Sequence, residues 1–280
     1  MNTKRIQRFF LSGSLEKLED QEQINQIVKV LRLREGDRII GIKEEREFLL
    51  EISQISTSKI SSIDCKIVSQ CEKSKGKELD FNLRVFLPLL KGEKLDWVLQ
   101  KCTELGVQEF QFVEFENAVK ENKNIEHKTK RWHKILTEAA EQSERVKIPV
   151  IHETIAFSKV RLRDQEIGFA FLERLEEQHP LILNKSEKLY PEIQPLNDAL
   201  KLPLERGLGG NLMRQSTNFL LSQNARNKAA IFGPEGGFSE AEKEIILSKN
   251  FLPISLGKRI LRSETAIIHG VGLIGFLGEE

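Results

Sequence analysis

The sequence predicts an α/β protein in which a small β-rich domain precedes a larger domain built on a mostly parallel sheet covered by helices. Three observations predict it. Short apolar runs broken by turn residues extend to about Cys71, a charged glycine-containing stretch follows at residues 72–77, and beyond it strand-like and helix-like segments alternate. Length agrees, since 280 residues at roughly 150 per domain correspond to about two domains, with one large domain as the alternative.

The boundary is placed in the polar stretch, giving domains 1–74 and 75–280. In the first, residues 8–11, 39–42, 48–52 and 63–68 read as strands, with Glu35-Gly36-Asp37 as a turn between them. Ile24, Ile27, Val28 and Leu31 recur at i, i+3, i+4 and i+7, one stripe of a helix. In the second domain, residues 81–87 read as a strand. Leu95, Val98, Leu99, Cys102 and Leu105 then keep helical spacing up to Gly106, where a left-handed cap meets no Cβ. Residues 107–115 form the next strand. Trp132, Ile135, Leu136, Ala139 and Ala140 line a helix over 128–144, which ends before Pro149, and residues 167–172 are a buried-type strand. Residues 176–227 carry Pro191, Pro195, Pro203 and the run Gly207-Leu208-Gly209-Gly210 without periodicity, and read as an inserted loop region. Strand 229–232, helix 239–249, strand 252–256 and helix 265–277 complete the chain, with Ser239 and Glu242 at capping-box spacing.

Composition excludes several function classes. The 43 Lys+Arg nearly cancel the 42 Asp+Glu, so nucleic-acid binding must come from local patches. Cys65, Cys71 and Cys102 are an odd count without C-x-x-C spacing, which argues against a disulfide framework or zinc knuckle and fits a reducing compartment. No apolar run approaches 18 residues and no secretory signal precedes the fold, so a cytoplasmic chain with no membrane association is expected. The five histidines are scattered without metal-ligand spacing, so no metal is expected, and G-x-S-x-G is absent. Gly270-Val271-Gly272-Leu273-Ile274-Gly275 matches G-x-G-x-x-G, yet only five residues follow. The dinucleotide context is missing, and these glycines read as close-packing positions of a helix.

Two loops remain, each following a strand. Gly233-Pro234-Glu235-Gly236-Gly237-Phe238 has backbone that can approach a ligand closely. Leu256-Gly257-Lys258-Arg259-Ile260-Leu261-Arg262-Ser263-Glu264-Thr265 opens from a strand into a loop with three cations and then a helix N-terminus, a place that favours anions. Either is a plain turn or basic surface loop when taken alone; together, after neighbouring strands, they point to a ligand site.

These two motifs resemble the signature of the RsmE family of ribosomal RNA uridine-N3 methyltransferases, in the SPOUT superfamily. Residues 29–37 (KVLRLREGD), 99–107 (LQKCTELGV) and 138–143 (EAAEQS) resemble further family segments, so the likeness spans nearly all of the chain except the insertion. Lys258 stands where the family usually has proline and Ser263 where it has threonine. The resemblance implies a PUA-like or OB-like barrel followed by an α/β domain tied in a trefoil knot, acting as a homodimer. It implies S-adenosylmethionine as cofactor, held by Gly233, Pro234, Glu235, Gly236, Gly237, Leu256, Gly257, Arg259, Ile260 and Leu261. The implied partner is small-subunit (16S) ribosomal RNA, naked or within an assembled 30S particle, gripped by Lys4, Arg5, Arg8, Lys29, Arg32 and Arg34 of the barrel. Arg262 then stabilises charge developing on the uracil. Glu264 is either the acceptor of the N3 proton or an acid favoured by a helix dipole. The same residues also admit a knotted methyltransferase acting on transfer RNA or a ribose hydroxyl, or a non-catalytic RNA-binding protein.

Overall fold

A computed structural model describes residues 6–56, 62–71, 77–118, 125–173 and 226–278. Lys4, Arg5, the expected cut at 74/75 and nearly all of the expected insertion lie outside the described residues. The chain divides into two compact units, Met1–Glu78 with Leu136–Ile148, and Leu79–Ile135 with Pro149–Glu280. One cut was expected. Instead the chain leaves the first unit, returns to it for thirteen residues and leaves again.

The first unit holds a curled five-stranded sheet made of β1 (Gln7–Phe10), β2 (Lys17–Leu18), β3 (Arg38–Lys43), β4 (Arg46–Ile55) and β5 (Ile63–Cys71). Its order is β1-β3-β4-β5-β2, with β1 parallel to β3 and the other pairs antiparallel. Asp20 caps α1 (Gln21–Asn25) by accepting from the backbone N–H of Glu22 and Gln23 at 2.9 and 3.0 Å. The expected single helix continues only as a π-helical turn over Gln26–Val30. The apolar stripe survives the change, because Ile24 and Ile27 are fully buried against Phe9, Ile39, Leu50 and Ile63, with Val28 and Leu31 packed beside them.

Arg8 departs from the expectation. It was expected to face RNA, but it lies buried on β1, pairs with Glu47 of β4 and donates to the Glu144 carbonyl at 3.2 Å. A cation spent inside a unit has no reach for phosphate. Lys29, Arg32 and Arg34 are exposed.

The returning segment is held by charge. Glu78 accepts from Arg145 at Nε (3.0 Å) and Nη2 (2.7 Å) and from the backbone N–H of Val146 and Lys147 at 3.0 and 3.1 Å. Glu141 accepts from the Phe10 N–H at 2.9 Å. Burial, with help from the neighbouring Glu138 and against the pull of Arg8, raises its carboxyl from 4.5 to about 7. The folded unit therefore favours the protonated acid. Stability from this group is greatest below about 4.5 and falls as pH rises to about 7. Glu141→Gln keeps the acceptor oxygen and removes the charge; urea midpoints of the variant should exceed the native ones above pH 7 and converge with them near pH 4. Equal midpoints at both pH values would contradict the assignment.

The second unit carries six strands: β6 (Asn82–Pro88), β7 (Glu109–Glu114), β8 (Val150–Ala156), β9 (Glu166–Phe171), β10 (Asn227–Phe232) and β11 (Phe251–Ile254). Their order is β11-β9-β10-β6-β7-β8 and every pair is parallel. The helices are α2 (Lys94–Glu104), α3 (Ile125–Gln142), α4 (Glu240–Ser248) and α5 (Ser263–Gly278), the last turns of α3 belonging to the first unit. β6, β9 and β10 are almost wholly buried, as continuous apolar strands of parallel sheets are. β8 was not expected. It lies at the sheet edge, and the polar His152 and Glu153 interrupt its apolar pattern.

Gly106 closes α2 at φ +93°, as the sequence predicted. Gly270 of α5 lies against the sheet, where an added Cβ would come within 2.7 Å of the Phe232 ring and 3.0 Å of Phe171. This closeness explains the glycine better than any phosphate site does. Gly270→Val should lower stability by about 1–3 kcal/mol, read as a fall in urea midpoint with unchanged slope.

Candidate active site

Because all six strands run one way, their carboxyl ends share one edge, the edge where open α/β sheets receive ligands. Four segments leaving that edge enclose a cleft of about 360 Å³. The start of α2 brings Lys94, the end of β9 brings Phe171 and Glu173, and the turn after β10 brings Phe232 to Glu235 with Gly237 and Phe238. The loop after β11 brings Ile260, Leu261 and Arg262, continuing into Ser263, Glu264 and Ala266 of α5.

The first loop is shaped by its glycines. Gly237 has φ +71° and its N–H donates to the Pro234 carbonyl at 2.9 Å, closing the turn. A Cβ at Gly233 would touch the Phe238 ring at 3.0 Å, and one at Gly236 would meet Asn117 Cβ at 3.0 Å and its carbonyl at 3.1 Å. Asn117 Nδ2 also donates to the Gly237 carbonyl at 3.3 Å. The loop ends at Ser239, whose capping box with Glu242 fixes α4; Glu242 also accepts from the Glu116 N–H at 2.8 Å. The second loop turns through Gly257 at φ +110°. Ser263 Oγ donates to the Gly233 carbonyl at 2.9 Å, joining the two loops.

The floor is apolar. Phe171 and Phe232 stack with centroids 4.6 Å apart and planes 7° from parallel. Above it lie charges. Lys94 Nζ is 2.6 Å from Glu235 Oε1 and 3.6 Å from Glu264 Oε2, and the Glu235 hydrogen bond, with the charges of both acids, raises the lysine above its ordinary value. Glu264 is buried, and its Oε2 accepts no hydrogen bond. The 3.6 Å separation from Lys94 lies within ion-pair reach and is too long for a good hydrogen bond, so the oxygen feels the cation and still has room for a donor. Arg262 is exposed at the mouth, as is the apolar Ile260.

Of the residues singled out from sequence, Gly233, Pro234, Glu235, Gly237, Ile260, Leu261, Arg262 and Glu264 line this one cleft. Gly236, Leu256, Gly257 and Arg259 belong to the same loops but do not line it; Gly236 faces Asn117 instead. Sequence reasoning missed Lys94, Phe171, Glu173 and Phe232. The signal for them was topological, since each sits at or just beyond the carboxyl end of a strand next to β10 or of β10 itself. Cys65 and Cys102 take no part: both are buried, and burial raises Cys65 to about 11 and Cys102 as well, so neither offers a thiolate.

Residues 77–275, most of the chain and both loops of the cleft, match the family described as an RNA methyltransferase domain. The chain belongs to this family. It is 29% identical over 284 residues to ribosomal RNA small subunit methyltransferase E of Bacillus subtilis, covering 98% of each chain. The enzyme of the same name from Mesomycoplasma hyopneumoniae is 32% identical over 199 residues, which are 70% of this chain and 71% of that one. Among solved structures, ribosomal RNA small subunit methyltransferase E from Neisseria gonorrhoeae bound to S-adenosyl methionine shares the fold, with a TM-score of 0.71 over 98% of each chain at 21% identity. The mixed α/β architecture, a curled sheet preceding a parallel one, is thus that of the family.

Proposed function

We propose that the chain is an S-adenosylmethionine-dependent methyltransferase that methylates N3 of a uridine in small-subunit ribosomal RNA. The observation that carries the reading is the cleft itself: two glycine-bearing loops joined at the carboxyl edge of a parallel sheet, with Glu264 buried beside them and Arg262 at the mouth. The names of the relatives, ribosomal RNA small subunit methyltransferase E, support the choice of RNA.

The residues present fit the cofactor. Phe171, Phe232, Ile260 and Leu261 give an apolar surface suited to a purine, and the backbone of Gly233 to Gly237 comes close without side chains in the way. Glu235, Glu264 and Glu173 supply negative charge near a ligand that is cationic at sulfur. When bound, S-adenosylmethionine supplies a methyl group already activated on sulfonium. The chain's task is then placement and proton management. Glu264 Oε2, an acceptor without a donor, receives the N3 proton, and Arg262 offsets the negative charge that builds on the uracil. N3 lies on the Watson–Crick edge, so the uridine must enter unpaired.

Lys29, Arg32 and Arg34, exposed on the first unit, serve as phosphate contacts in this reading, together with Lys4 and Arg5 of the amino-terminal segment. A trefoil knot, a homodimer, a cytoplasmic location and recognition within the 30S particle belong to it as well. Exposed Trp97 of α2 and Phe276 of α5 supply apolar surface for the dimer. Among the described residues no helix is long and apolar enough to cross a membrane.

Calorimetric titration with S-adenosylmethionine should show micromolar binding, about 8 kcal/mol. Incubation with unmethylated small-subunit RNA, both naked and as 30S particles, followed by digestion and mass spectrometry should yield N3-methyluridine. Ribose methylation, or transfer to transfer RNA alone, would overturn the choice of target; cofactor binding without transfer to any RNA would overturn the activity.

A further inference from the structure

Lys94 lies outside both signature loops, yet it is the one lysine among the described residues that lines the cleft. Its place follows from topology, because β6 pairs directly with β10 and the chain leaving β6 enters α2 at Lys94. The ammonium reaches two carboxylates carried on different segments, Glu235 in the turn after β10 at 2.6 Å and Glu264 in the first turn of α5 at 3.6 Å. Three segments that are distant in the chain are therefore pinned around one charge.

The two partners are not equivalent. Glu235 takes a hydrogen bond from Lys94 and is partly open to solvent, whereas Glu264 is buried and takes none at Oε2. A direct hydrogen bond to Oε2 would occupy the oxygen. At 3.6 Å the cation attracts the carboxylate and fixes the direction in which it points, while Oε2 remains able to accept a proton from a ligand. Glu235 holds Lys94 at that distance by engaging one of its N–H groups more tightly.

We propose that Lys94 is a positioning residue that, anchored by Glu235, orients the Glu264 carboxylate with Oε2 available to the reacting base. This rests on the reading of Glu264 as the acceptor of the N3 proton. It assigns Lys94 no contact with the reacting atoms, so its effect must pass through Glu264 and vanish when Glu264 cannot act.

The test combines single-turnover methyl transfer to small-subunit RNA with calorimetric cofactor affinity, for the native chain, Lys94→Met, Lys94→Arg, Glu264→Gln and the double variant Lys94→Met/Glu264→Gln. Lys94→Met should slow transfer about tenfold or more, with cofactor affinity changed less than about twofold, because misaligned groups lose rate and keep binding. Lys94→Arg should restore most of the rate. In the Glu264→Gln background, Lys94→Met should add nothing, the non-additivity expected of residues acting as a unit. A Lys94→Met loss that adds in full to that of Glu264→Gln, or that appears in cofactor affinity and not in rate, overturns the proposal. Lys94 is partly exposed at a helix start, so the arginine variant retains a folded comparison if the methionine one does not. A native chain that transfers no methyl group removes the functional reading and this assignment together; an active native chain with an unaffected Lys94→Met variant removes the assignment alone.

Discussion

Glu264→Gln is expected to lower the rate of methyl transfer about a hundredfold or more, the usual weight of a positioned proton acceptor. The substitution is nearly isosteric. It leaves the Ser263 contact to the Gly233 carbonyl and the apolar floor of Phe171 and Phe232 in place, so cofactor affinity should stay close to native. The competing account makes Glu264 an acid favoured by the positive end of α5, where it stands in the first turn. That account predicts a different pattern: a stability loss of about 0.3–1 kcal/mol and an unchanged rate. Rate and unfolding midpoint measured on the same preparation separate the two, and an unchanged rate would end the case for Glu264 as base.

Glu78→Ala should destabilise the first unit by about 3 kcal/mol, the low end of the cost of breaking a buried ion pair. Arg145 is almost fully buried, at 1% exposure, and donates from both Nε and Nη2 to Glu78 Oε2. The variant also strips the Val146 and Lys147 N–H groups of their acceptor. Arg145 keeps further interactions, which is why the upper end of the range is not expected. Pairing the change with Arg145→Met removes the buried charge as well and should recover part of the loss, because an apolar replacement of a buried pair is often neutral. If the double variant is as unstable as the single one, the cost comes from the two backbone donors and not from the charge.

Much of this architecture was legible in the chain. Helix α4 could be read from Ser239 and Glu242 because a capping box is a local signal, and the end of α2 from Gly106, which adopts the left-handed conformation. The buried strands β6, β9 and β10 were legible because continuous apolar runs announce themselves. What escaped depends on partners distant in sequence. Arg8 looks like any surface cation until Glu47, on another strand, is brought beside it. β2 has two residues, too few for a pattern, and the polar centre of β8 hides an edge strand. In the cleft, the glycine loops could be found by their composition, whereas Lys94 could be found only once β6 was known to lie next to β10. A lysine at the end of the polar run Lys91-Gly92-Glu93-Lys94 carries no local mark of its neighbours.

The return of residues 136–148 to the first unit has a bearing on how the protein is made. Domains commonly fold in order as they leave the ribosome, the amino-terminal one first. Here the nascent β-rich unit lacks the donors and acceptors of Glu141, Glu144 and Arg145 until residues 79–135 of the next unit have also emerged. Synthesis of the leading unit thus finishes long after its last strand is translated, and a chain stalled between Glu78 and Leu136 would expose an unpaired Glu78 and the open flank of β1 to whatever binds unfinished chains.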